Sequence, residues 1–317
     1  MTLLFSYILA LAAFLFKNKN LKILLIFYSI ALTLSLYFFF PIGGDYISLQ
    51  IRSDNLDFFQ TNFFSQDIIF HSITILSRYT LIEVPILYFF FMVIIILFYE
   101  NKNYRYLPIY FIFLYYFILT GFQRQGLACL IFLLGLKYHK LILQNFFLIF
   151  SLFAHQSIII VLLIRYFYFF KKIRFHPIVI SLIIFLVIKF SSIYLSEGIF
   201  SHYIRNYFLV DQLSRGVIFR FLSVGLCFLT LIYINKQDFI KDLNFNIFQV
   251  LFFLSGFLVL NNSTTAGDRL LYYAIVFFIA SDTMKKLDHN KLILVCSPFI
   301  LMNLSWVVLS DQSYHNW

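Results

Sequence analysis

The sequence has few charged residues, few glycines and prolines, and only three cysteines. Charged residues make up 12% of its 317 residues, whereas soluble domains have about a quarter. Ten glycines and five prolines leave room for long uninterrupted helices. Cys129, Cys227 and Cys296 lie in apolar runs without CxxC or CxxH spacing, which is typical of small core residues rather than disulfide partners or metal ligands. A soluble domain of appreciable size is therefore excluded.

Apolar and aromatic residues dominate what remains. Hydrophobic residues make up 62% and aromatic residues 22% of the chain, and the mean hydropathy is +0.89. Such a composition suits a hydrocarbon interior with aromatic belts at the membrane interfaces. The first apolar stretch, 2–16, has no positive residue before it and no small-residue cleavage site after it, which favours a retained helix over a signal peptide. We expect an all-α, polytopic membrane protein with a single transmembrane domain over residues 1–317.

Polar breaks divide the chain into apolar runs, each a candidate for a membrane segment of about 20 residues. They predict about 12 segments, several of them short. The runs are 2–16, 21–40, 81–99, 106–122, 126–136, 141–154, 156–170, 177–195, 217–234, 246–260, 269–284 and 291–309. An interrupted apolar stretch, 68–77, is predicted to lie in the membrane interface or to dip into it.

The lysines predict the topology. Of 14 lysines, 13 lie in six connections, and only Lys189 does not. The six connections hold Lys17/Lys19/Lys22, Lys102, Lys137/Lys140, Lys171/Lys172, Lys236/Lys241 and Lys285/Lys286/Lys291. The positive-inside rule places them in the cytoplasm, so an even number of crossings joins each to the next. The stretches 106–136 and 141–170 are then two short helical hairpins with Arg124 and His155 at their outer tips. The main outer loops are 41–80 and 196–216.

The arginines are distributed differently from the lysines. Seven of them lie on or near the predicted outer side: Arg52, Arg78, Arg124, Arg205, Arg215, Arg220 and Arg269. Because guanidinium groups match phosphate geometry, this distribution indicates a site for an anionic ligand. Four of them could equally be solvated loop residues or contact lipid headgroups: Arg52, Arg78, Arg205 and Arg215. Arg124 and Arg269 adjoin membrane segments, where ionisable residues are costly and usually functional.

The sequence contains no motif for a metal, cofactor or nucleotide. HExxH, a DxD near a membrane face, grouped Cys/His residues and a Walker A loop are all missing. We expect no cofactor and no metal. The net charge of +10 comes mostly from the cytoplasmic lysines and indicates contact with anionic lipid rather than with nucleic acid.

Four short motifs resemble those of one family of membrane proteins. Gly121-Phe-Gln-Arg-Gln-Gly-Leu-Ala and Phe153-Ala-His-Gln-Ser-Ile-Ile resemble its "RQ…A" and "H-x-S" elements. Gly43-Gly-Asp-Tyr46 resembles its G-x-D-Y element, and Asp268-Arg-Leu-Leu-Tyr-Tyr273 its late R-x-x-Y element. Their order along residues 40–280 also matches. The chain thus resembles the EpsG-like family, relatives of the Wzy-type O-antigen and exopolysaccharide polymerases.

The resemblance implies a GT-C-like transmembrane glycosyltransferase in a bacterial inner membrane. Its donor and acceptor would be oligosaccharides linked to polyprenyl diphosphate, such as undecaprenyl diphosphate, in O-antigen (lipopolysaccharide) or exopolysaccharide biosynthesis. A chain-length regulator is a further expected partner. The departing diphosphate needs positive charge rather than a proton donor, so the catalytic set would be Arg124, Arg269 and, as general base, His155.

Further residues would bind substrate. They are Asp45, Tyr46, Arg78, Gln125, Arg215, Asp268, Tyr272 and Tyr273. Several have structural alternatives. His155 could be a neutral packing histidine. Asp45 and Asp268 could act as base, hold an acceptor sugar, or form an ion pair with Arg124 or Arg269. Tyr272 and Tyr273 could stack on sugars or simply pack.

Other functions fit the same composition. An O-antigen ligase would use the same donor, and a flippase would carry the same lipid-linked sugars, although flippases usually show repeated halves, which this sequence lacks. An acyltransferase would also need a histidine within the membrane. The outward-facing arginines favour glycosyl transfer.

Overall fold

The computed structural model describes residues 2–39, 50–51, 53–54, 68–100, 106–112, 123–138, 140–170, 176–195, 215–234 and 242–313. All regular structure within these ranges is helical. The helices that we number are α1 (Thr2–Leu15), α2 (Lys19–Phe39), α3 (Ile68–Thr80), α4 (Val84–Tyr99), α5 (Gln123–Lys137), α6 (Leu141–Ala154), α7 (Ile159–Phe170), α8 (Pro177–Leu195), α9 (Arg215–Ile234), α10 (Leu243–Leu260), α11 (Thr264–Ala280), α12 (Asp282–Lys285) and α13 (His289–Ser313). A 3₁₀ turn, Gln156–Ile158, precedes α7, and residues 107–112 are also helical.

The apolar runs predict most of these helices closely. The runs 141–154 and 177–195 coincide with α6 and α8. The run 269–284 instead contains most of α11 and most of α12, separated at Ser281. The Ser281 hydroxyl accepts a hydrogen bond from the Met284 N–H at 3.2 Å, which caps α12. Periodicity alone cannot show such a capped break, because the apolar pattern continues through it.

Three of the described helices are long and apolar enough to cross a membrane. Their apolar windows are Lys19–Leu36 in α2, Val217–Ile234 in α9 and Leu243–Leu260 in α10. A fourth candidate is α3 with α4, which are bent by 112° at the break between them. Other apolar helices, such as α6 with 14 residues, are shorter than a straight span. The chain is a helical membrane protein, and the count of about 12 segments stays a prediction.

The chain divides into two compact units, of which the first is Met1–Ile159 with Asn303–Trp317. Hydroxyl groups join α1 to α2 in this unit. The Ser6 hydroxyl donates to the Ser29 carbonyl at 2.8 Å, and the Ser29 hydroxyl donates to the Ser6 carbonyl at 2.9 Å. Such small polar residues allow close packing of helices in a bilayer and bond across the interface.

Helices α5 and α6 pack against each other around a short connection, residues 138–140. A Cβ atom added at Gly135 would lie only 3.0 Å from the Cβ atom of Phe147, so this glycine permits the close approach. The Lys137 ammonium donates to the carbonyls of Phe98 and Tyr99 at the end of α4. Lys137 therefore lies at the same end of the unit as the end of α4. Lys102 lies outside the described residues, and the grouping of the two lysine connections stays a prediction.

The second unit is Ile160–Met302, and its centre is the pair α10 and α11. The Asp242 carboxylate accepts from the Phe245 N–H at 3.1 Å and, through its other oxygen, from the Thr283 N–H at 2.7 Å. The start of α10 and the start of α12 are therefore adjacent. The turn between α10 and α11 lies at the other end of the pair, where Lys189 donates to the Asn261 side chain at 3.0 Å. Lys189, the exception among the lysines, thus lies away from the end of the pair next to α12, which contains Lys285.

Candidate functional site

The first polar cluster lies at the start of α5. Arg124 is half-buried in the first turn of this helix, and its guanidinium carbon lies 5.8 Å from the centroid of the Phe70 ring. Phe70 is a buried residue of α3, so the contact is a cation–π interaction with the first unit's interior. A cation in a helix's first turn adds to the positive end of the helix dipole, which is unfavourable for the helix alone and favourable for binding an anion.

His155 ends α6. Its backbone is extended, with φ −163° and ψ 123°, and the 3₁₀ turn follows directly. The ring atom Nδ1 lies 3.2 Å from the backbone N of Ser157, which donates to it, and 2.7 Å from the Ser157 Oγ. His155 therefore starts the next helix by the local side-chain bonding that Ser, Asn and Asp use at helix starts. The predicted break in the stretch 141–170 is found at this residue.

The Gln125 side chain links the start of α5 to the residues that follow α6. It is 2% exposed, and its Nε2 donates to Ser157 Oγ over a long 3.5 Å. Its Oε1 accepts no hydrogen bond from any residue that the structure describes. The start of α5 and the residues after α6 are therefore neighbours, about 21 Å from Lys137 along α5. We call Gln125, Ser157 and His155 the polar row.

The second polar cluster lies in the second unit. Arg220 of α9 forms two hydrogen bonds with Asp268 of α11, Nε to Oδ1 at 2.8 Å and Nη2 to Oδ2 at 2.6 Å. The side chains are only 7% and 8% exposed. Arg269, half-buried, also attracts the Asp268 carboxylate electrostatically. Among the described residues, this cluster brings two arginines to one carboxylate.

The ion-pair alternative for Asp268 is correct, but its predicted partners are wrong. Asp268 pairs with Arg220, not with Arg124 or Arg269. Neighbouring residues on a helix point about 100° apart, so Arg269 cannot form the same fork with the residue beside it. Both carboxylate oxygens accept from Arg220. The substrate-binding role of Asp268 stays a prediction.

The remaining predicted site residues are more scattered. Tyr272 is 1% exposed and Tyr273 is fully buried, which is typical of packing residues. Arg78 donates to the Ser53 carbonyl at 3.0 Å, about two helical turns beyond Phe70 on α3. Arg215 is the first residue of α9. The predictions for Asp45 and Tyr46 lie outside the described residues.

Sequence analysis missed three features. Ser157 entered only as part of a motif, although a residue two positions after a polar side chain often bonds to it. Arg220 is 48 residues from Asp268, and no local pattern links them. Arg165 was overlooked although it is a lone arginine in an apolar run. In α7 it is 6% exposed, and its guanidinium carbon lies 6.0 Å from the Tyr166 ring.

The cysteines are buried and unpaired, which confirms them as core residues. Within the described ranges, no three His, Cys, Asp or Glu side chains are grouped as metal ligands would be. The expectation of a metal-free site stays a prediction.

The fold and its two charged clusters define a helical membrane protein with buried arginines. The EpsG family model matches residues 46–317, a range that includes both clusters. The chain belongs to the EpsG family, which is a family of polysaccharide polymerase-like membrane proteins. No curated protein and no solved structure matches the chain.

Proposed function

We propose that this protein polymerises oligosaccharide repeat units carried on polyprenyl diphosphate, at the outer face of a bacterial inner membrane. The products would be O-antigen or exopolysaccharide. One observation carries the proposal: a member of the EpsG family has Arg124, Gln125 and His155 together at one end of the α5–α6 pair, opposite its lysine-bearing end. Polar and basic residues at one membrane face suit a lipid-linked anionic substrate.

The reaction transfers a glycan from one lipid carrier to another. The bond between the donor's anomeric carbon and the diphosphate oxygen breaks, and its electron pair goes to the diphosphate. A hydroxyl oxygen of the second repeat unit forms the new bond to that carbon and loses its proton. The departing diphosphate is already a stable anion, so metal-free electrostatic stabilisation by fixed cations suits the step.

Arg124 and Arg269 are the proposed contacts of the diphosphates. Each is half-buried, and each adjoins a polar cluster in its own unit. Partial burial lowers the local dielectric and strengthens the attraction of a phosphate. Arg220 holds Asp268 by two hydrogen bonds, so that the carboxylate is fixed next to Arg269 in the same polar cluster.

The proposed topology is multi-pass, with the lysine connections in the cytoplasm. Contacts at the lysine-bearing ends support it: Lys137 with the end of α4, and Asp242 with Thr283 beside the lysines of α12. The polar row and the α10–α11 turn would then be at the outer face.

Reconstitution tests the function. Purified protein in vesicles is given a lipid-linked repeat unit, and the products are separated by size. A ladder of lipid-linked oligomers is expected. Single transfer to a lipid A-type acceptor would identify a ligase. Movement of intact substrate across the bilayer without any new bond would identify a flippase, and either result would reject the polymerase.

A further inference from the structure

The hydrogen bonds of the polar row fix which nitrogen of His155 carries its proton. The Ser157 backbone N–H can only donate, and it points at His155 Nδ1 from 3.2 Å. Nδ1 must therefore present its lone pair. The Ser157 hydroxyl, 2.7 Å away, then donates to the same nitrogen rather than accepting from it.

Gln125 favours the same direction of bonding. Its Nε2 is a donor and approaches the Ser157 oxygen, so the oxygen accepts from Gln125 while its proton is directed to His155. The Gln125 amide thus donates to the Ser157 hydroxyl, and the Ser157 hydroxyl donates to the His155 ring. A neutral imidazole with its lone pair at Nδ1 carries its proton at Nε2.

We infer that the polar row holds neutral His155 with its proton on Nε2, so that His155 donates a hydrogen bond to a phosphate oxygen of the lipid diphosphate instead of acting as the general base. Ser157 is the positioning residue that sets this tautomer. The inference rests on the proposed function and assigns a role within the same site. Arg124 lies beside Gln125 in the first turn of α5, which brings a cation to the same end of the helix pair and favours an anionic acceptor for that bond.

A base would need the opposite tautomer. Nε2 would have to carry the lone pair, and Nδ1 would then carry a proton facing the Ser157 N–H, which is a contact between two donors. With His155 as donor, the proton of the acceptor hydroxyl goes to the departing diphosphate, which gains an electron pair in the same step. The products are the extended glycan and a protonated polyprenyl diphosphate, so atoms and charge balance.

Two amide substitutions separate donor from base. In His155→Gln the amide nitrogen reaches the position of Nε2 and can donate, but it cannot accept a proton. In His155→Asn the amide oxygen reaches the position of Nδ1 and can still bond to the Ser157 N–H, but nothing reaches Nε2. We expect His155→Gln to stay within about tenfold of wild-type polymerisation and His155→Asn to lose about 100-fold, the range of one hydrogen bond to a charged group. Equal losses in both variants, or no loss in either, would overturn the inference.

His176 provides a matched control. Its Nδ1 accepts from the Ile178 N–H at 3.4 Å at the start of α8, and it is exposed. His176→Gln and His176→Asn should both retain activity. Binding of polyprenyl diphosphate, measured on full-length protein in nanodiscs, should weaken in His155→Asn and not in His155→Gln. Polyprenyl alcohol, which lacks phosphate, should not distinguish the variants.

Nuclear magnetic resonance reads the tautomer directly and needs no catalysis. In protein with ¹³C,¹⁵N-labelled histidine, the His155 signal is assigned by its loss in His155→Gln. We expect the Nε2–H form in wild type, in Ser157→Thr and also in Ser157→Ala, because all three keep the backbone N–H of residue 157 that donates to Nδ1. A wild-type Nδ1–H form would refute the inference. If wild-type protein makes no polymer yet shows the Nε2–H form and binds polyprenyl diphosphate, the proposed function fails and the role of His155 stands.

Discussion

Removing either partner of the Arg220–Asp268 pair should strongly destabilise the protein. Two charge-assisted hydrogen bonds of 2.8 and 2.6 Å join side chains that are 7% and 8% exposed. Deleting one member leaves the other charge buried, which costs about 3–5 kcal/mol. Arg269 makes the two deletions unequal. Asp268→Leu removes the anion that pairs with Arg220 and also attracts Arg269, and should cost about 5 kcal/mol, whereas Arg220→Met leaves Asp268 near Arg269 and should cost about 3 kcal/mol.

The double variant distinguishes a pair from two independent contacts. Replacing both buried partners by apolar residues of similar volume is often close to neutral. Arg220→Met combined with Asp268→Leu should therefore lie within about 2 kcal/mol of wild type, because both buried charges of the pair are removed together. The difference between this value and the sum of the single losses measures the coupling between the two side chains.

The assay is reversible unfolding in mixed detergent micelles, followed by far-ultraviolet circular dichroism. Lys285→Met is a control, because Lys285 and Asp282 are 4.0 Å apart with side chains 34% and 72% exposed, and should change stability by under about 0.5 kcal/mol. A double variant as unstable as the two single losses added together would show that no coupled pair exists. Single variants as stable as the control would refute the argument from burial.

Three more predictions concern catalysis, topology and packing. Arg124→Lys and Arg269→Lys keep the charge but lose the guanidinium fork, so polymerisation should fall about 10- to 100-fold at normal membrane levels; full activity in both would exclude them as diphosphate contacts. A cysteine replacing Lys137 should resist an impermeant thiol reagent added outside and react after permeabilisation; outside labelling would refute the topology. Gly267→Ala places a Cβ 2.7 Å from Val259 Cγ2 and should cost about 1–3 kcal/mol in unfolding assays, whereas Gly225→Ala, whose nearest contact is 3.4 Å, should be tolerated.

The sequence predicts helices better than it predicts their partners. Apolar runs locate α6 and α8 because a membrane helix is a local pattern of about 20 residues or fewer. The bend of 112° between α3 and α4 is not visible in that pattern. It depends on Leu81, whose backbone has φ 58°, a conformation that no apolar run indicates for leucine.

In the candidate site, too, the sequence predicts individual residues better than it predicts their partners. Arg124, Gln125 and His155 are recognisable because polar residues interrupt apolar stretches, and the structure brings Gln125 to within 3.5 Å of Ser157. Arg220 could not be linked to Asp268, because the pair depends on how α9 and α11 pack. The sequence could predict that Asp268 forms an ion pair, but only the tertiary structure identifies Arg220 as its partner.

The packing of α10 against α11, with a short turn between them, bears on how the protein enters the bilayer. Under the proposed topology its two ends, beside Asp242 and Ala280, remain in the cytoplasm, where the Asn244 side chain donates to the Ala280 carbonyl at 3.1 Å. Only the turn has to be translocated, and its N–H groups already bond to carbonyls at the end of α10. Between residues 243 and 280 the charged residues are Asp268 and Arg269, one of each sign. Their opposite charges cancel, so the membrane potential does no net work on this segment as it crosses.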